Sequence, residues 1–398
     1  MTRDEIDSRV DKMFDTGHNL LLTWATGCGK SRQAIRWINK LDNPKTLICV
    51  AEIAHINNWA KEFTKWGMSG MFKSVKVICY ASLAKYKGTE WDLIILDECH
   101  HIATDIRVDA LSDIKAKNVI SLSATVTDAT RGALETIFGR LDEFRIGMKD
   151  AIAWNILPEP KIILVPLHLD YTKVDQTFVI KWGKAALRKR VTCTMPERWE
   201  YLKNKKKYPN MELYVKCSEA QKYSLISERF EYNKKRYMAT RNDAVKNMWM
   251  QAGSERKRFL GESKTRHAER IINSRLKGYR HIVFCTDIIQ ADVLGGKNAI
   301  HSQAAWPQTK IAEFNVGKTD SIYAVGMLQE GMNLYNIEKG MIIQLDGAER
   351  AFVQKLGRLL RAEEPEIYIL YFEGTRDQEY LNKALEGIDK KYITTMKL

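Results

Sequence analysis

The run Ala25-Thr26-Gly27-Cys28-Gly29-Lys30-Ser31 constrains this chain more than any other stretch. It follows the short apolar segment Leu20-Leu21-Leu22 and precedes a helix-forming stretch over residues 32–39. A strand that turns through glycines into a helix lets backbone N–H groups converge on a phosphate. The glycines allow close approach, and the helix start adds its unpaired donors. In that frame Thr26, Gly27, Cys28 and Gly29 form the cradle, Lys30 reaches the β- and γ-phosphates, and Ser31 ligates Mg²⁺. A Gly-Lys-Ser triplet alone is common in surface turns; its strand-loop-helix setting carries the reading. The strict pattern has a further glycine where Trp24 stands, so the match is short by one residue.

The flanking sequence repeats the same alternation. Near-continuous apolar, β-branched runs at residues 46–50, 75–79, 93–96 and 119–122 are separated by amphipathic stretches. Such runs belong to a parallel sheet covered on both faces. The run at 93–96 ends in Asp97-Glu98-Cys99-His100. At the carboxyl end of a strand, Asp97 can hold Mg²⁺ and Glu98 can orient or deprotonate an attacking water. A turn after a buried strand also favours aspartate. Paired with the phosphate loop, the chemical reading is the better one.

The pattern changes between residues 172 and 212, where Lys181, Arg188, Lys189, Arg190, Lys205 and Lys206 are interleaved with Trp182 and Trp199. Basic and aromatic side chains together suit phosphates and stacked bases. The competing reading is a solvated charged face whose aromatics are ordinary core. Residues 219–276 are helix-forming and strongly charged, and strand-helix alternation resumes at 281–285, 321–325, 341–345 and 367–370. The expected division is therefore 1–165, 166–275 and 276–398: two α/β domains on either side of a basic, largely helical region.

A chain of 398 residues suffices for two or three domains, and 45% hydrophobic residues can fill their cores. A formal charge of +14 points to a polyanionic partner, nucleic acid first. No apolar run approaches the roughly 18 residues that span a bilayer, so no membrane is expected. The polar, acidic start does not read as a secretion signal. The seven cysteines are scattered without a Cys-x-x-Cys pair, which reads as reduced thiols in a cytoplasmic compartment.

With the loop and the acidic pair in hand, the chain resembles the superfamily-2 helicases and translocases over most of residues 15–375. The Ala-Thr-Gly-x-Gly-Lys form of the loop is similar to restriction-enzyme-type and Swi/Snf-type motors, which often lack the first glycine. Ile48-Cys49-Val50-Ala51 with Trp59 and Glu62-Phe63 resembles motif Ia, and Tyr80-Ala81-Ser82-Leu83 motif Ib. Asp97-Glu98-Cys99-His100 resembles the motif II box and Ser123-Ala124-Thr125 motif III. In the second half, residues 282–285, 329–334 and 354–361 resemble motifs IV, V and VI.

The resemblance implies two RecA-like domains, with ATP and Mg²⁺ held by the first; Ser31 and Asp97 are the implied metal ligands. It implies that Gln354, Arg358 and Arg361 act from the second domain, and that Gly331 and Asn333 lie at the nucleotide. His100, Ser123, Ala124 and Thr125 would couple hydrolysis to movement. Val126 stands where proline is common, Asn333 where aspartate is common, and no clear glutamine motif precedes the loop. The flavour of motifs I, Ia and II favours DNA over RNA, with a protein partner able to add specificity. Two alternatives stay open at this point: an RNA helicase, and a nucleic-acid-binding scaffold with weak ATPase.

Overall fold

The computed structural model describes residues 1–180, 189–204, 207–208, 210–326, 334–345, 349–360, 362–386 and 388–398. The first sheet is built from β1 (Asn19–Trp24), β2 (Thr46–Val50), β3 (Val75–Cys79), β4 (Glu90–Asp97), β5 (Lys115–Ser123) and β6 (Leu141–Ile146). Its order is β3-β2-β4-β5-β1-β6, and every pairing is parallel. The apolar runs seen in the sequence are its central strands: all five residues of β2 are buried, and so are Leu93, Ile94, Ile95 and Leu96 of β4. Parallel pairing puts all carboxyl ends along one rim, where ligands bind in open α/β sheets. There Thr23 lies opposite Ser123, and Asp97 opposite Leu122.

The helix Arg3–Phe14 is laid against the helix Lys30–Lys40 by a ladder of charges. Asp7 pairs with Arg32 at 2.8 Å, Asp11 with Arg36 at 3.0 Å, and Asp15 with Lys40 at 2.8 Å. Spacing of four on each helix keeps each set on one face. Such part-exposed pairs add little stability; what they set is the register of one helix on the other.

After β6 the chain crosses to β7 (Lys161–Leu167), and β7 belongs to another sheet. The expected boundary at 165 therefore falls inside a strand that pairs with the C-terminal strands. Next come β8 (Val174–Ile180), β9 (Lys189–Cys193) and β10 (Met211–Cys217), in the order β8-β10-β9, with the helix Met195–Lys203. Phe178, Ile180, Cys193, Met211, Leu213 and Val215 form a small core of their own. The region is helical beyond that, as expected: Glu219–Thr240 and Asp243–Ser263 form a long antiparallel hairpin, here called the arm. Ile226, Phe259 and Leu260 root the arm in the core of the second sheet.

The second sheet adds β11 (His281–Phe284), β12 (Ala299–Ile300), β13 (Ser321–Ala324), β14 (Lys339–Ile342), β15 (Glu366–Phe372) and β16 (Ile393–Thr395). Its order is β12-β13-β11-β14-β15-β7-β16, again all parallel. The chain thus carries two parallel-sheet α/β domains, as the alternation of runs required. One buried apolar cluster includes members of both, from Leu20 and Ile95 to Ile282 and Leu356. Among the described residues, no helix is long and apolar enough to cross a membrane. The seven cysteines are unpaired, and all but Cys79 are buried.

Candidate nucleotide cleft

The rim of the first sheet faces a cleft of about 660 Å³, within the size range of small-molecule sites. On its first wall, the loop after β1 turns through Gly27 (φ 93°) and Gly29 (φ 87°), a backbone region that side chains rarely enter. Gly29 caps the helix Lys30–Lys40, so the free N–H groups of its first turn open onto the loop. Lys30 Nζ donates to the carbonyl of Trp24 at 2.9 Å, which folds its side chain back over the loop. Trp24 itself is fully buried at the end of β1, edge-on to Phe144 at 6.1 Å. It is a core residue, so the glycine absent from the motif leaves the cradle intact. Burial pushes the Cys28 thiol up to about 11, which keeps it protonated at neutral pH.

The N-terminal helix adds a residue that motif reading passes over. Arg3 Nη1 donates to the Cys28 carbonyl at 2.7 Å and lines the cleft. Its spacing from Cys28 continues the charge ladder by one more rung. The signal in the sequence is the matched set Asp7, Asp11, Asp15 and Arg32, Arg36, Lys40.

On the floor, Asp97 ends β4 and is fixed from two sides. Its Oδ2 accepts from Trp59 Nε1 at 3.0 Å, and its carbonyl accepts from the Tyr80 hydroxyl at 2.8 Å. Burial, and then the neighbouring Glu98, push its carboxyl up to about 6, while Lys30, Trp59 and His55 pull the other way. Glu98 adopts φ 50° and ψ 54°, a left-handed conformation that costs a non-glycine roughly 1–3 kcal/mol and is found mainly at functional sites. The turn aims Glu98 into the cleft beside Asp97. His100 Nδ1 lies 3.1 Å from the Ser123 hydroxyl and 3.4 Å from Glu98 Oε2. Ser123 Oγ in turn donates to the Thr125 carbonyl at 2.8 Å, with Ala124 buried between them. The motif II and motif III segments are therefore in contact through His100.

The helix Ile53–Lys65 forms a side wall with His55, Asn58, Trp59 and Glu62 at turn spacing. The motif Ia resemblance includes Trp59 and Glu62, but gives no hint that Trp59 holds Asp97. His55 is 4% exposed, and its Nε2 is a buried atom with no hydrogen-bond partner among the described residues. The Thr26 hydroxyl is in the same position.

The opposite wall belongs to the second domain. Arg358, in the helix Glu349–Leu359, is 6% exposed and lines the cleft together with Lys30, Asp97 and Glu98. A Cβ added at Gly357 would stand 2.6 Å from Thr26 Cβ and 2.8 Å from its carbonyl oxygen, so this helix rests directly on the phosphate loop. Gln354 lies in the same helix, but its side chain is outside the described residues, as are Arg361, Gly331 and Asn333.

The donor set suits a nucleoside triphosphate with Mg²⁺. Loop N–H groups and Lys30 are donors suited to phosphates, and Ser31 and Asp97, both lining the cleft, are oxygen donors of the kind that could hold Mg²⁺. The residues expected at nucleic acid are elsewhere. Lys189 and Arg190 are exposed on β9, where Arg190 pairs with Glu212 at 2.8 Å, and Trp199 is exposed on the helix Met195–Lys203. Lys181, Trp182, Arg188, Lys205 and Lys206 lie outside the described residues.

Residues 3–128 match the model of the family described as Type III restriction enzyme, res subunit. Among solved structures, the chain is similar to an S. cerevisiae Dbp5 variant bound to a Gle1 variant and IP6, at 12% identity and TM-score 0.54, covering 96% of this chain and 85% of that one. The same Dbp5 variant bound to RNA and ADP BeF3 gives 11% identity and TM-score 0.54, with the same coverage. The Pyrococcus furiosus Hef helicase domain gives 13% identity and TM-score 0.48, covering 92% of this chain and 95% of that one. No curated protein matches the chain. The likeness to the two Dbp5 structures shows the fold, two RecA-like parallel-sheet domains, and the family match is to the first of them.

Proposed function

We propose that this protein is an ATP-driven motor that moves on or remodels DNA, and that it acts in the cytoplasm. The observation that carries the reading is one cleft lined by Lys30, Asp97 and Glu98 from the first domain and by Arg358 from the second. In this reading the loop and Lys30 bind the ATP phosphates, Glu98 orients or deprotonates the attacking water, and Arg358 offsets charge on the γ-phosphate. Mg²⁺ held by Ser31 and Asp97 would neutralise charge across the phosphates. Arg361 and Gln354 join Arg358 by resemblance. The cleft is best stabilised closed with ATP and relaxes after hydrolysis, and that is a population shift between two domain arrangements. Glu98, His100, Ser123 and Thr125 form the route by which the shift reaches the rest of the rim.

Charge supports nucleic acid as the track, since +14 overall favours a polyanion. The family description, a restriction-enzyme subunit, supports DNA; the RNA-bound Dbp5 structure keeps an RNA track as the second reading. Lys189, Arg190 and Trp199 are the described residues proposed to touch it. The test is the ATPase rate with no nucleic acid, single-stranded, duplex and forked DNA, and RNA, at two salt concentrations. Stimulation by a DNA form that weakens with salt is the expected result. Stimulation by RNA alone would move the assignment to the RNA reading, and no stimulation by any of them would sink the motor.

A further inference from the structure

Bonded to the helix Glu349–Leu359, and outside the lining of the cleft, is a buried polar cluster with no part in the chemistry described so far. Lys264 follows the second helix of the arm and is 0% exposed. Its Nζ donates to the Ile343 carbonyl at 2.9 Å and to Gln344 Oε1 at 2.8 Å, and it pairs with Asp377 Oδ2 at 2.6 Å. All three donors of the ammonium are thus used. Asp377, on the helix Arg376–Ala384, also accepts from Gln344 Nε2 at 2.7 Å and from the Phe372 N–H at 3.3 Å. The Gln344 carbonyl faces Lys355 Nζ at 3.4 Å. Lys355 stands three residues before Arg358 in the same helix.

Four segments therefore meet at one point: the root of the arm, the chain just past β14, the helix after β15, and the helix that carries Arg358. Stability alone does not explain the arrangement. Taking an ammonium and a carboxylate out of water costs several kcal/mol each, and an apolar pair of similar volume commonly holds a core as well or better. The apolar alternative is close at hand, since Lys264 Nζ already lies 5.9 Å from the Phe372 ring. What directed hydrogen bonds add is a single angle and register, where apolar packing tolerates slippage. Register matters here because Gly357 abuts Thr26 with no room to spare. A shift of about 1 Å in a catalytic group can cost on the order of a hundredfold in rate.

We propose that Lys264 is a positioning residue for Arg358: through Gln344, Asp377 and Lys355 it locks the root of the arm to the arginine-bearing helix, so that the two move as one rigid piece. This rests on the reading of Arg358 as the second domain's contribution to ATP hydrolysis.

Lys264→Met alone strands Asp377 as a buried, uncompensated carboxylate and is expected to lower stability on that account. The decisive protein is therefore the double variant Lys264→Met/Asp377→Asn, which removes both charges and keeps a side chain able to bond Gln344 and the Phe372 N–H. Two readouts are taken on the full chain. Backbone amide exchange over residues 349–360 is expected to rise about tenfold or more, with residues 93–97 at wild-type rates. The kcat for ATP hydrolysis is expected to fall by about tenfold or more, with KM for ATP within about threefold, because the first domain's loop is untouched. Unchanged exchange over 349–360 overturns the proposal, as does a kcat that falls only as far as the folded fraction falls. A wild-type chain without ATPase on any nucleic acid refutes the motor instead, and the exchange measurement then still decides the lock.

Discussion

Asp97, the proposed Mg²⁺ ligand, is set by residues remote in sequence. The indole of Trp59 and the hydroxyl of Tyr80 fix its side chain and its backbone from separate elements. Trp59→Phe keeps the packing and deletes one donor to a half-buried carboxylate, a loss of about 1.5–3 kcal/mol for a charge-assisted bond. The expected outcome is a higher Mg²⁺ concentration needed for half-maximal nucleotide binding, with binding in excess Mg²⁺ retained. A Mg²⁺ titration of bound fluorescent nucleotide checks it, and an unchanged midpoint would remove Trp59 from the site. For Glu98→Gln, hydrolysis should fall by about 10²–10⁴-fold while nucleotide still binds; full activity in that variant would sink the assignment of the base. At this scale the sequence was informative wherever chemistry sits in one continuous run. That Lys30, Ser31, Asp97 and Glu98 would lie on one cleft was legible because the turn that presents each is encoded by its neighbours. The parts of Trp59 and Arg3 were not, because each is reached only when a helix packs against an element distant in sequence. In the case of Arg3 the matched acidic and basic spacings were there to be read.

The helix Glu349–Leu359 is the element on which the cleft depends, and it is held on both faces. On one, Gly357→Ala would drive a methyl into Thr26, 2.6 Å away. The helix must then lift from the phosphate loop. We expect ATP turnover to drop by on the order of a hundredfold, with nucleotide binding by the first domain much less affected; equal turnover in the alanine variant would contradict the contact. On the other face, burial pushes the Lys355 ammonium down from the ordinary 10.5 to about 8. Between those two values the unfolded chain holds a proton that the folded one does not, so stability rises with pH across that window. Below pH 8 both states are charged and the folded state carries the full burial cost. Lys355→Met should therefore stabilise the chain at pH 7 by on the order of 3 kcal/mol and flatten the rise between pH 8 and 10. Urea unfolding at both ends of the window reads it directly. Strands of near-continuous apolar sequence were legible, and β2, β4 and β5 sit where the runs placed them. The missed ones are of another kind. β6 is an edge strand with exposed and half-buried charges, and β8, β9 and β10 alternate buried with exposed residues among dense lysines and arginines. There the signal of period two is overwritten by charge.

At the scale of the whole molecule, the two domains do not divide where composition changes. β7 leaves the first domain's stretch of sequence and inserts between β15 and β16 in the second sheet. Nothing local announces this: Lys161–Leu167 is not among the strands read from the sequence, and which sheet it joins is decided by partners more than 200 residues away. The pairing makes a strong demand on any fragment. Residues 276–398 alone lack β7, so β15 loses a central neighbour and β16 its only partner among the described residues. They also lose Ile162, Val165 and Leu167 from the core, worth roughly 1.5–3 kcal/mol each, along with Phe259, Leu260 and Ile271 from the arm and its continuation. That sum exceeds a large part of the 5–15 kcal/mol that typically holds a domain together. We therefore expect residues 276–398 to be unfolded or insoluble, and residues 158–398 to give a cooperative thermal transition and dispersed amide resonances. A cooperative transition in the shorter fragment would mean that β7 is an accessory strand, and that the arm is free to move independently of the sheet on which it is rooted.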